Sequence, residues 1–272
     1  MNIEIESASF SVISKGDGVP VVFLHAGVAD KRMWTSQVEL VEEAGLRAIA
    51  YDRRGFGETK SQDVPFSHVE DLSILLDELE VGAAVLVGCS QGGRIAIDFA
   101  LGHPERVIAL VLVSTAVSGA PEVEEYPAEI QPLVMAYEAA DDANDLDMLN
   151  KVEAHAWLDG PATSGGRVAG ELRELFLDMN GITLRHEPLG HEIEPPDAYE
   201  RVGAISQPVL LISGELDFPH IIERHDFLEA ELPNSFAAML EGCAHLPSFE
   251  RPELFNPLLL EYLETLFDLD AD

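Results

Sequence analysis

Ser90 stands at the centre of Gly88-Cys89-Ser90-Gln91-Gly92, a Gly-x-Ser-x-Gly pattern. A serine hydroxyl is a weak nucleophile until a base takes its proton and an acid orients that base. His245, in EGCAHLP (241–247), is the candidate base. Asp217, in ISGELDFP (212–219), is the candidate acid, with Glu215 as the fallback. The order Ser90, Asp217, His245 is one in which such triads occur, and the chemistry it predicts is acyl transfer to water. The negative oxygen of a tetrahedral intermediate needs backbone N–H donors. The spacing predicts Gly27 for the first, with Ala26 or Val28 as alternatives, and Gln91, next to the nucleophile, for the second.

The elements predicted around these residues put them together. VPVVFLH (19–25), LRAIAY (46–51), AAVLVG (83–88), VIALVLV (107–113), PVLLIS (208–213) and 235–240 are short runs of the kind expected of strands, most of them buried on both faces. Two N-terminal runs, Ile3–Ile5 and Phe10–Ile13, predict a hairpin or meander. Helical spacing covers 30–44, 91–102, 219–231 and 252–267, and Ser67 with Glu70 has capping-box spacing before an apolar face at Leu72, Leu75, Leu76 and Leu79. Alternating strands and helices imply an α/β fold with a mostly parallel sheet covered on both sides. Ser90 then closes a strand and opens a helix, and Gly27, Asp217 and His245 follow strands at the same sheet edge. The sharp Ser90 turn explains Gly88 and Gly92, because its neighbours must lack bulk. The helix N-terminus behind it favours developing negative charge.

Between 117 and 205 the strand rhythm stops. Helical periodicity appears in patches at 130–140, 146–157 and 168–179, broken by Gly160-Pro161, Gly165-Gly166 and Pro195-Pro196. The expected division is therefore 1–116 with 206–272 as an α/β core and 117–205 as a helical insertion. Trp34 before the second strand and Trp157 in the insertion are candidate pocket-lining residues, although aromatics at helical spacing usually belong to a core. His25 is expected to bond loop backbone. Asp52, Arg53 and Arg54 are expected to brace a loop through ion pairs. Cys89 and Cys243 read as small buried side chains in tight turns, too few for a disulfide framework. The remaining histidines have no metal-ligand spacing, so neither metal nor cofactor is expected.

The likeness of this chain to a known family runs along nearly its whole length. HAGVADKRMW (25–34), YDRRGFGET (51–59), VGCSQGGRIAIDFALGHPERVIALVLV (87–113) and CAHLPSFERPELF (243–255) resemble the segments of the α/β-hydrolase fold family, in its branch of serine esterases, enol-lactonases and cofactor-free perhydrolases or haloperoxidases. Ala26 stands where that family usually has glycine, and Thr59 where it usually has serine. The resemblance implies Ser90 as nucleophile, His245 as base and Asp217 as acid. It also implies that 117–205 forms a cap over the pocket. Family members that open epoxides or remove halides attack with Asp, and position 90 is Ser.

Charge narrows the partners. The 272 residues carry 16 Lys and Arg against 50 Asp and Glu, a formal charge of −34, with 47% hydrophobic residues. Such a surface repels phosphate backbones, so no nucleic-acid partner is expected. The hydrophobic fraction excludes a disordered acidic tail. The excess is spread over both expected parts, at −14 in 117–205 and −20 elsewhere. A negative field at the pocket mouth disfavours dianionic substrates. No apolar run is long enough to span a membrane and no signal peptide is visible, so the expected setting is cytoplasmic, as a monomer or homodimer. The expected activity is hydrolysis of small carboxylic esters or lactones. The alternatives are a perhydrolase or C–C bond hydrolase, and a non-catalytic small-molecule receptor or interaction protein on the same fold.

Overall fold

The computed structural model describes residues 1–267; the last five positions of the expected 206–272 segment lie outside the described residues. Among the described residues nine strands form one sheet: β1 (Asn2–Ile5), β2 (Ala8–Lys15), β3 (Pro20–Leu24), β4 (Arg47–Tyr51), β5 (Lys60–Ser61), β6 (Ala84–Cys89), β7 (Val107–Val113), β8 (Val209–Gly214) and β9 (Ser235–Leu240). Their order is β1-β2-β4-β3-β6-β7-β8-β9, with β5 paired to β2. The β1–β2 and β2–β4 pairings are antiparallel, and every pairing from β4 to β9 is parallel. The fold is thus α/β with a mostly parallel sheet, and β3, β6, β7 and β8 all end at one carboxyl edge.

Successive residues of a strand point to opposite faces, and each face has its own core. Val22, Leu24 and Leu86 pack with Leu72, Leu75 and Leu76 of α2 (His68–Glu78), Ile95 and Phe99 of α3 (Gln91–Gly102) and Leu228 of α7 (Pro219–Glu231). Val21, Phe23, Val85 and Val87 pack with Val38 and Val41 of α1 (Thr35–Glu43) and Phe255, Leu259 and Leu263 of α9 (Pro252–Phe267), which follows the one-turn α8 (Pro247–Glu250). Each such buried aliphatic or aromatic side chain contributes roughly 1.5–3 kcal/mol. Ser67 caps α2 by accepting from Glu70 N at 3.4 Å.

Between β7 and β8 the chain carries α4 (Gln131–Asp142), α5 (Leu146–Glu153), a π-helical turn (Ala154–Asp159) and α6 (Glu171–Leu184). The helical spacing at 168–179 places α6 about one turn too early. Residues 166–168 are spent instead on Asp159, whose two carboxylate oxygens accept from Gly166 N at 2.7 Å and Val168 N at 2.9 Å. The helix begins only after Gly170. The two ends of the insertion meet at Ser118, whose carbonyl accepts from Ala198 N and Tyr199 N at 3.1 and 3.0 Å. Its hydroxyl donates to Asp98 of α3 at 2.6 Å. The start and finish of the insertion are therefore pinned to the helix that Ser90 opens. Among the described residues no helix is long and apolar enough to cross a membrane.

Candidate active site

Ser90 joins β6 to α3 with φ 54° and ψ −116°, a backbone conformation that costs a side-chain-bearing residue about 1–3 kcal/mol. Hydrogen bonds hold it there. Its N–H donates to Val113 O at 2.9 Å, and its carbonyl accepts from Arg94 N and Ala116 N at 3.0 and 3.2 Å. The turn also needs glycine on both sides. A Cβ on Gly92 would lie 2.2 Å from the Leu24 carbonyl oxygen, and one on Gly88 would lie 2.5 Å from that of Gly92.

His245 and Asp217 are both buried, in the loops after β9 and β8. The Nδ1 of His245 lies 2.7 Å from Asp217 Oδ2. A carboxylate only accepts, so Nδ1 carries the hydrogen and Nε2 is left with its lone pair free. The other oxygen of Asp217 accepts from Phe218 N at 2.7 Å, which fixes the carboxyl plane. Glu215 is exposed and plays no part in this pairing. The Trp157 ring stacks obliquely on the His245 ring at 4.5 Å and on Phe218 at 4.7 Å.

Ser90, His245 and Gly27 open onto one cavity of about 350 Å³. The loop after β3 supplies both Gly27 and Val28 to its wall. Ala26 is fully buried and its N–H is directed at Met33 Sδ at 3.4 Å, which removes it as an anion donor. Among the described residues the N–H groups of Gly27, Val28 and Gln91 have no protein acceptor. The rest of the wall comes largely from the insertion and is mostly apolar: Leu133, Val134, Val152, Ala156 and Trp157, with Phe218 from the loop after β8.

Trp34 is not on that wall. It is fully buried, packed on Phe23 at 5.3 Å and on Phe255 at 6.3 Å. It precedes α1 on the far face of the sheet, and the core between β3 and α9 claims its ring. Of the two tryptophans singled out by sequence, the fold brings only Trp157 to the cavity.

His25 uses both ring nitrogens on backbone: Nδ1 lies 2.8 Å from Ala26 O, and Nε2 accepts from Arg53 N at 3.1 Å. Burial and the Arg53 charge hold its pKa well below the ordinary histidine value, so it stays neutral. Asp52 pairs with Lys31 at 2.6 Å and Arg54 with Asp71 at 2.7 Å, as the bracing role predicts. Arg53 does something else. Fully buried, it donates to Gln91 Oε1 at 2.8 Å and to the His25 and Ala26 carbonyls at 3.0 and 3.2 Å, and it lies over the Phe56 ring at 4.5 Å. One guanidinium thus ties the Gly27 loop to the residue after Ser90. Burial brings its pKa down to about 10. Adjacent arginines in a loop gave no sequence signal for this division of labour. Cys89 and Cys243 are buried, and burial pushes both thiols up, Cys243 to about 11. Among the described residues no group of three His, Cys, Asp or Glu side chains is placed to hold a metal ion.

Comparison with known proteins agrees with this architecture. Residues 19–252 match the α/β hydrolase fold family. The chain is 30% identical over 252 residues to the 2-hydroxy-6-oxononadienedioate/2-hydroxy-6-oxononatrienedioate hydrolase of Burkholderia vietnamiensis, covering 89% of this chain and 86% of that protein. It is 27% identical over 252 residues to the pimeloyl-(acyl-carrier protein) methyl ester esterase of Nitrosomonas europaea, covering 91% and 97%. Among solved structures, an esterase from Thermogutta terrifontis superposes with a TM-score of 0.76 at 23% identity, over 98% of this chain and 99% of that one. The chain belongs to the α/β-hydrolase fold family.

Proposed function

We propose that the protein hydrolyses small carboxylic esters or lactones through an acyl-enzyme on Ser90. The observation that carries this reading is one cavity holding Ser90, Gly27 and a His245 already bonded to Asp217. Ser90 Oγ attacks the ester carbonyl carbon while His245 Nε2 takes its proton. The carbonyl oxygen becomes an anion and accepts from the N–H groups of Gly27 and Gln91. Collapse expels the alcohol, which takes the proton from His245. Water then adds to the acyl carbon with His245 again as base, and the acid leaves. Asp217 keeps the imidazole in the tautomer that both steps require. The insertion acts as the cap, and its apolar wall keeps bulk water from the acyl-enzyme.

The wall also separates this reading from hydrolysis of dicarboxylates, the substrates named for the Burkholderia relative. Among the described residues lining the cavity there is no Lys or Arg, and there is one Glu. A substrate with two carboxylates would find no cation inside and a chain of −34 outside. Neutral esters and lactones fit this surface better.

The test is turnover of p-nitrophenyl acetate, butyrate and hexanoate by wild type and Ser90→Ala, with fluorophosphonate labelling of Ser90. Wild type should turn over at least one ester and be labelled at Ser90 alone, and the variant should do neither. Equal background rates in the two proteins would overturn the esterase reading and favour a binding role.

A further inference from the structure

Among the groups lining the cavity, Glu153 has no task in the mechanism above. It ends α5 and is only 8% exposed. Its Oε2 accepts from Asn180 Nδ2 of α6 at 2.5 Å. The same amide nitrogen donates to Asn150 Oδ1 at 3.1 Å, and Asn150 Nδ2 donates to Leu177 O at 2.8 Å. Both hydrogens of the Asn180 amide are therefore used, and a relay of two asparagines grips the carboxyl by a single oxygen. Among the described residues the second oxygen, Oε1, has no protein partner, and the side chain carrying it forms part of the cavity wall. Around it Val134, Val152 and Ala156 cannot donate; Tyr137, which feels the Glu153 charge, and Trp157 could, but among the described residues neither hydrogen-bonds to it. Burial raises the Glu153 pKa and the nearby Asp141 charge adds to that, while the Asn180 bond pulls it back.

A carboxylate oxygen on an apolar cavity wall is hydrated until a ligand displaces that water, and a ligand with no donor to offer it there is disfavoured. A bare alkyl chain would bury Oε1 without a donor, and a carboxylate would set two acceptors against each other. We propose that Glu153 is the specificity-determining acceptor of this site, and that the substrate carries a hydroxyl, amide N–H or ammonium donor away from its scissile bond to meet Oε1. The proposal rests on the ester reading and names the substrate class within it.

The experiment uses two matched ester sets. One carries the tail on the acid: p-nitrophenyl hexanoate, 6-hydroxyhexanoate and 5-carboxypentanoate. The other carries it on the alcohol: butyl, 4-hydroxybutyl and 3-carboxypropyl hexanoate. Wild type should favour the hydroxyl tail over the carboxylate tail in at least one set, by about 30-fold or more in kcat/KM. Glu153→Leu should abolish that preference and favour the alkyl tail. Glu153→Gln should reverse it. Asn180 still needs an acceptor, so the glutamine carbonyl turns to it and the glutamine NH2 faces the cavity, now suited to a carboxylate. The same variant keeps the Asn180 bond, so its melting temperature should stay near that of wild type. A tail preference unchanged in both variants, with esters still cleaved and Ser90 still labelled, would overturn the role of Glu153 alone. No turnover and no labelling of Ser90 in wild type would overturn the ester reading and this proposal with it.

Discussion

Two surfaces face each other across the cavity, the carboxyl edge of the sheet and the inner side of the 117–205 insertion, and they treat polar groups in opposite ways. At the sheet edge the groups that orient the site are committed, and the free ones are those placed to meet the reacting atoms. Asp217 spends one oxygen on His245 and the other on Phe218 N, and His25 spends both ring nitrogens on backbone. Across the gap Glu153, on the cavity wall, spends one oxygen, and among the described residues the other has no protein partner. A committed group cannot adjust to a ligand, which suits groups that must meet the same reacting atoms in every turnover. A half-committed group is completed by whatever enters, which suits selection. Substitutions at the edge should therefore lower activity on all substrates alike, and substitutions in the insertion should re-order substrates.

The largest effect falls on the edge. Ser90→Ala should lower kcat/KM about 10⁴-fold or more on every ester, with the melting curve little changed. A loss confined to some esters would break the contrast at its strongest point. Arg53→Met comes next. Without the guanidinium, the Gln91 side chain and the Gly27 loop lose their common anchor, and kcat should fall about 10- to 100-fold for short and long esters equally. KM should change little, and Arg53→Lys should recover only part of the rate, since one ammonium cannot span Gln91 Oε1 and two carbonyls. A KM effect without a kcat effect would show that Arg53 does not position the donors.

Trp157→Ala tests the insertion side. Its ring touches both His245 and Phe218, so removing it should widen the pocket and change relative kcat/KM among acyl lengths by about tenfold, raising the longer chains against the shorter. A uniform loss would assign Trp157 to the edge instead.

The smallest effect is on stability, at the seam between the two surfaces. Asp98 binds Ser118, and burial raises its carboxyl to about 6 from an ordinary value near 4. Between about pH 4 and 6 the unfolded chain loses this proton first, so the folded state loses stability as pH rises, and the cost is fully present above about 6. Asp98→Asn should remove it. The variant should match wild type near pH 4 and exceed it at pH 7 by about 1–2 kcal/mol, a few degrees in melting temperature. An equal shift at both pH values would mean that the proton is not the cause.

Much of the edge was legible before any coordinates. The runs at 83–88 and 107–113 appear as β6 and β7 within a residue or so, because strands buried on both faces must be continuously apolar. Less of the insertion was legible. The patch at 168–179 belongs to a helix that starts later, since Asp159 draws the preceding backbone into a loop. Glu153 carried no signal, because one acid among nineteen in 117–205 looks like any solvated one until its neighbours are known.

By itself the sequence determined the strand–turn–helix at Ser90, the glycines around it and the chain order of the three polar residues. These follow from local sterics and from burial patterns within a few residues. Only the tertiary structure decided among near equivalents. It set Asp217 rather than Glu215 against His245, spent the Ala26 N–H on Met33, sent Trp34 into the core and Trp157 to the cavity, and put Glu153 on the cavity wall. Most of those choices depend on segments distant in the chain packing to contact, and no local pattern encodes which of two similar side chains will face the partner.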